Sequence, residues 1–291
     1  MKYDKVVEIN RRYSRSINVE RDYDVADALR GYLVGNKALE ILDRFANAYL
    51  TKNSVSSFTL TGVYGTGKSA FAQFLVSLCA AEGSDLKQEA LSILKGAKVS
   101  TGKKLAKFFQ QSLPETGLIR AVATARSEAI EITIARALKR GIDAFLQNKR
   151  GSKPKAYNKI VALNEKIEDG QEITDSELLS TLRETLEGGF DVLLVIDELG
   201  KSLEYASHSK AGDLYLLQQI AELQASKKGT QVYFFGLLHQ SFSGYASSLT
   251  EKQKKEWSKI QGRFEDISFL QSDSEVLRLV GHAFEIKKTT A

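Results

Sequence analysis

Apolar residues along this chain repeat with two periods, and the switches between them mark out the elements. "NKALEILDRFANAYL" (36–50) sets Leu39, Leu42 and Phe45 on one face of a helix. "SSFTL" (56–60) is rich in β-formers, and after it Phe71, Phe74, Leu75, Leu78 and Cys79 recur at helical spacing, one buried face. Residues 84–116 read as helical and lysine-rich. "GLIRAVATA" (117–125) reads as a second strand. "SEAIEITIARALKRGIDAFLQN" (127–148) reads as a long helix with Ile130, Ile134, Leu138, Ile142 and Phe145 facing inward and Ser127 placed to cap it. After the break "KRGSKPK" (149–155), two amphipathic helices follow over 156–170 and 174–189.

Val192 to Ile196 run apolar without alternation, the pattern of a strand covered on both sheet faces. Val232 to Leu238 repeat it, and between them "GDLYLLQQIAELQA" (212–225) is a helix carrying Leu216, Leu217, Ile220 and Leu223. Strands alternating with helices predict an α/β fold: a mostly parallel sheet between two helical layers. No internal repeat and no low-complexity tract interrupts it.

The loop between the first strand and its helix carries the chemistry. "GVYGTGKSA" comprises Gly62, Val63, Tyr64, Gly65, Thr66, Gly67, Lys68, Ser69 and Ala70, and satisfies G-x-x-x-x-G-K-[ST], the phosphate-binding P-loop. Glycines let the backbone approach a ligand closely, the loop N–H groups form an anion nest, and the following helix adds its positive dipole end. In that motif Lys68 reaches the β- and γ-phosphates and Ser69 puts its hydroxyl on Mg²⁺; Tyr64 reads as a tolerated side chain at a free position. The strand 192–196 ends in Asp197 and Glu198, a Walker B pattern in which Asp197 holds Mg²⁺ and Glu198 polarises the attacking water. In P-loop proteins with such a glutamate, a further strand lies between the two motif strands and ends in a polar residue that orients the water. His239 or Gln240 stands at that place, and a hydrogen-bonded structural role for His239 is the alternative.

Composition narrows the classes further. The chain has 291 residues, 43% hydrophobic and 26% charged, enough for a sizeable core. One cysteine, Cys79, excludes an intrachain disulfide, and three histidines are too few and scattered for structural zinc. No apolar h-region follows Met1 and no apolar run approaches spanning length, so a cytoplasmic protein without a membrane segment is expected. The net charge of +5 permits contact with nucleic acid without arguing for it. "NRRYSR" (10–15) is a basic cluster; "KRGSKPK" and "KKLAKFF" (103–109) are basic enough to touch phosphates, although solvated charge is the better explanation of both.

These residues together resemble the AAA+ superfamily of the ASCE class. "GVYGTGKS" and "LLVIDE" match its Walker motifs, and "FFGLLHQ" stands in the place of sensor 1. The helix before the P-loop is similar to that of origin-recognition-like and STAND-type ATPases. "IDELGKSLEYA", "LLHQSF" and "EWSKIQGRFEDI" resemble large ATPases of bacterial phage-defence islands. The resemblance implies ATP and Mg²⁺ as cofactors and an ATPase motor or switch, with a slow-hydrolysing sensor or scaffold that recruits an effector protein or binds nucleic acid as the alternative. It also implies a homo-oligomer joined through the ATP site, with Arg263 as an arginine finger acting on a neighbour's ATP. The bland alternative for Arg263 is a surface ion pair with Glu265 or Asp266. On this reading residues 1–35 form a polar N-terminal segment and 36–271 the ATPase core, with helical insertions at about 84–116 and 148–190. Residues 272–291 would open a helical lid that stops after its first helix, as in the N-terminal part of a longer protein.

Overall fold

The computed structural model describes residues 7–9, 17–51, 55–97, 100–147, 155–208, 214–223, 229–270 and 272–286. The basic cluster at 10–15 and all of "KRGSKPK" but Lys155 lie outside them.

Five strands form one parallel sheet: β2 (Ser57–Thr61), β3 (Ile119–Thr124), β4 (Val192–Asp197), β5 (Val232–Leu238) and β6 (Glu265–Ser268). Their order is β3-β4-β5-β2-β6. β5 therefore lies between the P-loop strand β2 and the acidic strand β4, as the sequence predicts. "FEDISFL" supplies β6, which pairs with β2 through Phe58↔Glu265. A separate two-stranded antiparallel ribbon joins β1 (Val7–Ile9) to β7 (Phe284–Ile286).

Side-chain alternation along the strands divides the core in two. Val192, Leu194 and Ile196 face one helical layer, formed by α5 (Ile130–Gln147), α6 (Ala156–Glu168), α7 (Asp175–Glu187), α8 (Gly200–His208), α9 (Tyr215–Ala221), α10 (Phe242–Tyr245) and α11 (Glu251–Gln261). Leu193 and Val195 face the other, formed by α1 (Asn36–Thr51), α2 (Lys68–Leu78), α3 (Asp85–Gly96) and α4 (Ser100–Gln111). The fold is thus a P-loop α/β/α sandwich. The segments read as insertions pack into these cores: Leu94 and Phe109 join the second cluster, Ile160 and Leu182 the first. α12 (Asp273–Ala283) follows β6.

Three local features differ from the sequence reading. α5 starts at Ile130, and Ser127 lies in a bend. Glu128 fastens the first turn instead, accepting from Thr133 Oγ1 at 2.7 Å and from Arg136 at 2.8 Å. α7 begins with a full capping box between Thr174 and Glu177, a Thr-x-x-Glu signature present in "TDSE". α2 is buried nearly all round rather than on one face, with Gln73 and Ser77 fully enclosed. The cause is residues 17–35, which supply Val19, Tyr23 and Leu29 to the second cluster and cover the outer side of α2. There Gln73 Nε2 donates to the carbonyl of Asp22 at 3.0 Å.

Candidate functional site

The parallel register brings the C-terminal ends of β2, β3, β4 and β5 to one edge, where open α/β sheets bind ligands. A cleft of about 570 Å³ lies there, lined by Gly65, Lys68, Ser69, Asp197, Glu198 and His239 among others. The P-loop is anchored at its start, where Gly62 N donates to the carbonyl of Leu238 at 3.1 Å. Gly65 and Gly67 take φ of +80° and +91°, left-handed conformations that turn successive N–H groups to the same side. Gly67 is also the N-cap of α2, and no side chain caps the helix. Its first-turn N–H groups and its dipole end are thus left to an anion.

Lys68 folds back into the loop, donating to the carbonyls of Gly62 and, at 3.0 Å, of Val63, and to Thr66 Oγ1 at 3.4 Å. Burial lowers its pKa and the nearby Asp197 opposes that shift. Asp197 is buried beside Ser69 and accepts a hydrogen bond from Glu198 N at 2.8 Å. Burial pushes its carboxyl above the usual range, although the Ser69 hydroxyl and the Glu198 N–H beside it work the other way. Ser69 and Asp197 therefore converge as one hydroxyl and one carboxylate, hard oxygen donors of the kind Mg²⁺ takes while keeping most of its waters. Among the described residues no group of three acidic, histidine or cysteine side chains gathers, so no all-protein metal cage competes with that pair.

Glu198 is the one described non-glycine residue with positive φ, at +53°. Such a backbone costs on the order of 1–3 kcal/mol and is held by its surroundings. Here Leu199 N donates to the carbonyl of Leu237 at 3.0 Å, and Lys201 forms an ion pair with the Glu198 carboxylate. His239 follows β5 and faces the cleft. Its ring nitrogens are shielded from solvent and make no hydrogen bond, so the hydrogen-bonded structural role is not what the ring shows. Burial, then Lys68, lowers its pKa and keeps it neutral near pH 7. Gln240 is exposed. Tyr64 stacks on His239.

Arg263 does not join this group. It precedes β6, at the strand ends opposite the P-loop, half exposed, with Nε 2.7 Å from Glu222 Oε1. Neither carboxylate considered as its surface partner takes it. Glu265 pairs with Arg44, and Asp266 accepts from Thr59 and Thr61 at 2.8 and 2.6 Å.

Sequence reasoning missed the far wall of the cleft. Ile17, Ala28, Tyr32, Leu33 and Ala38 line it from the N-terminal side together with Asn18, Arg30 and Lys37, a mixed apolar and basic surface beside the P-loop. Glu20 holds this segment on the edge strand, accepting from Thr124 N at 2.8 Å and pairing with Arg140 at 2.8 Å. Glu275 ties α12 to the same wall. Its carboxylate accepts from Asn36 N at 2.7 Å and from Ser272 N at 3.1 Å, closing the first turns of α1 and α12 together. The signal for Glu275 was a Ser-x-x-Glu capping pattern at 272–275; nothing local to 17–35 announces its contacts.

No protein-family model and no curated protein matches the chain. Among solved structures it is similar to the Aeropyrum pernix ORC2 protein, determined as ADPNP-ADP complexes, with 13% identity and a TM-score of 0.49. That likeness covers 92% of this chain and 58% of the other, so the chain spans less than two thirds of the neighbour's length. At that level the fold rests on this chain's own strand order and register. Among the described residues no helix is long and apolar enough to cross a membrane.

Proposed function

We propose that the chain is an AAA+-like ATPase that binds ATP with Mg²⁺ in this cleft and hydrolyses it. The observation that carries the reading is the convergence in one cleft of Ser69, in the first turn of α2, and Asp197, at the end of β4, with Lys68 and Glu198 beside them. The P-loop N–H groups and Lys68 would bind the β- and γ-phosphates, and Ser69 and Asp197 would hold Mg²⁺, which supplies charge neutralisation on the transferring phosphoryl group. Glu198 would accept the proton of the attacking water, and His239 would orient that water. The mixed apolar and basic wall from Ile17 to Ala38 would enclose the rest of the nucleotide.

The test separates binding from chemistry. Lys68→Ala is expected to abolish ATP binding in calorimetry while the fold survives. Glu198→Gln is expected to bind ATP and lose about 10²–10⁴-fold in turnover, the usual contribution of one general base. Wild-type affinity in the first variant, or wild-type turnover in the second, overturns the assignment.

A second reading has its own support. Glu198 is taken up by Lys201, which favours a slow-hydrolysing switch that recruits an effector protein or binds nucleic acid. Turnover measured with and without DNA, RNA or phage protein separates the two. The likeness of "IDELGKSLEYA" and "EWSKIQGRFEDI" to ATPases of phage-defence islands supports a cytoplasmic role in anti-phage defence, and an assembly of identical chains through the ATP site. Loss of phage protection in cells carrying Lys68→Ala is the expected result.

A further inference from the structure

Tyr64 occupies a P-loop position that any residue satisfies. In the structure its ring lies on the imidazole of His239, with centroids 3.6 Å apart and planes inclined by 25°. This contact joins the phosphate-binding loop to the end of β5, two elements far apart in sequence.

The stack stands out because of what His239 lacks. Its backbone N–H is held by the hydroxyl of Tyr245 at 3.3 Å. Its ring nitrogens have no hydrogen-bond partner, and both are shielded from solvent. A working histidine is ordinarily oriented by a hydrogen bond on its second nitrogen. No such bond exists here, so the face of Tyr64 sets the plane of the imidazole. Nor does core packing force Tyr64 into place, since it is 74% exposed. The stack covers one face of the imidazole and leaves both nitrogens of His239 without a hydrogen-bond partner beside the cleft that Lys68, Asp197 and Glu198 share with it.

We infer that Tyr64 is a positioning residue, whose ring fixes the His239 imidazole toward the γ-phosphate end of the cleft. The inference rests on the ATPase reading and deepens it. Because Tyr64 is part of the loop that closes around phosphates, loop conformation and His239 orientation become one event. A nucleotide that settles the P-loop also settles the imidazole.

The test uses the whole chain as wild type, Tyr64→Ala and Tyr64→Phe. Without nucleotide, the His239 ring protons should show an upfield ring-current shift in wild type and Tyr64→Phe, lost in Tyr64→Ala. In steady state, Tyr64→Ala should lower kcat about tenfold, the factor that an aromatic pair at the upper end of its usual strength supplies, with KM little changed. Tyr64→Phe, which keeps the ring, should restore most of it. Wild-type kcat in Tyr64→Ala overturns the inference, as does Tyr64→Phe failing like Tyr64→Ala, because the hydroxyl would then be the active part. Failure of the ATPase reading looks different: the wild type itself does not turn over. The inference is then decided by binding, where Tyr64→Ala should narrow the ATP-to-ADP affinity ratio about tenfold. An unchanged ratio, or a wild type that binds neither nucleotide, overturns it.

Discussion

Glu198 and Lys201 face each other across the turn that opens α8, and their side chains form an ion pair. The carboxylate proposed to activate water is thus engaged by a cation while its backbone sits at positive φ. Lys201 is half exposed, so the pair is worth no more than about 1 kcal/mol. Lys201→Ala is expected to raise ATP turnover by at most about fivefold, with ATP affinity unchanged, as the carboxylate is released to water. Steady-state rates beside calorimetric affinities check it. A fall in turnover would mean that Lys201 supports Glu198 rather than restrains it.

Arg263 lies outside the cleft of its own chain and rests on Glu222. If it serves a neighbouring chain, specific activity rises with protein concentration, and Arg263→Ala retains ATP affinity while losing up to about 10³–10⁵-fold in kcat. Mixing Arg263→Ala with Glu198→Gln should recover partial activity, because a mixed interface pairs an intact Glu198 with an intact Arg263. No recovery, with activity independent of concentration, returns Arg263 to a surface ion pair.

Gly141 permits the close approach of α5 to the edge strand. A Cβ there would stand 2.7 Å from the carbonyl oxygen of Arg120 and 2.9 Å from the Cα of Ala121, both backbone atoms of β3. Helix propensity favours alanine by about 1 kcal/mol. Overpacking against backbone costs about 1–3 kcal/mol and outweighs it. Gly141→Ala is therefore expected to lower the melting temperature by a few degrees, read by circular dichroism, with the P-loop residues untouched.

Acid should loosen α12 from the cleft wall. Burial works to raise the pKa of Glu275, but the backbone N–H groups of Asn36 and Ser272 outweigh it and the net shift is downward from 4.5. A carboxylate lowered on folding contributes stability that is complete above its unfolded value and lost as pH falls through its folded value. Protection of the α12 amides against hydrogen exchange, taken relative to the intrinsic rate at each pH, is expected to hold at neutral pH and to fall as pH drops below 4.5. In Glu275→Gln it should already be low at pH 7. Protection insensitive to both changes would detach Glu275 from that role.

What the sequence made legible follows from how local each signal is. The P-loop is one contiguous stretch, and Asp197 and Glu198 end an unbroken apolar run, so spacing alone placed both. The position of β5 between β2 and β4 was also expected, because the glutamate class implied it. The Tyr64–His239 stack was not legible. It depends on strand order bringing Gly62 beside Leu238, a pairing that no window of residues displays. The wall from residue 17 to residue 38 was missed for a related reason. Its anchors, Glu20 on Thr124 and Arg140 and the carbonyl of Asp22 on Gln73, are long-range contacts within a stretch of polar composition. Arg263 shows the same limit: its neighbours in sequence suggested Glu265 or Asp266, and the fold offered Glu222 from another element.

The short ribbon that joins Val7 to Ile286 sets an order in time. Closing so long a loop costs more entropy than any pairing within the sheet, and two strands of three residues return little. The parallel sheet needs nothing beyond Ser268. A growing or refolding chain would therefore complete its P-loop and acidic edge first and pair β1 with β7 last, and on heating that ribbon would open first. α12 leads straight into β7, so the edge of the cleft that Glu275 ties down would mature after the phosphate side.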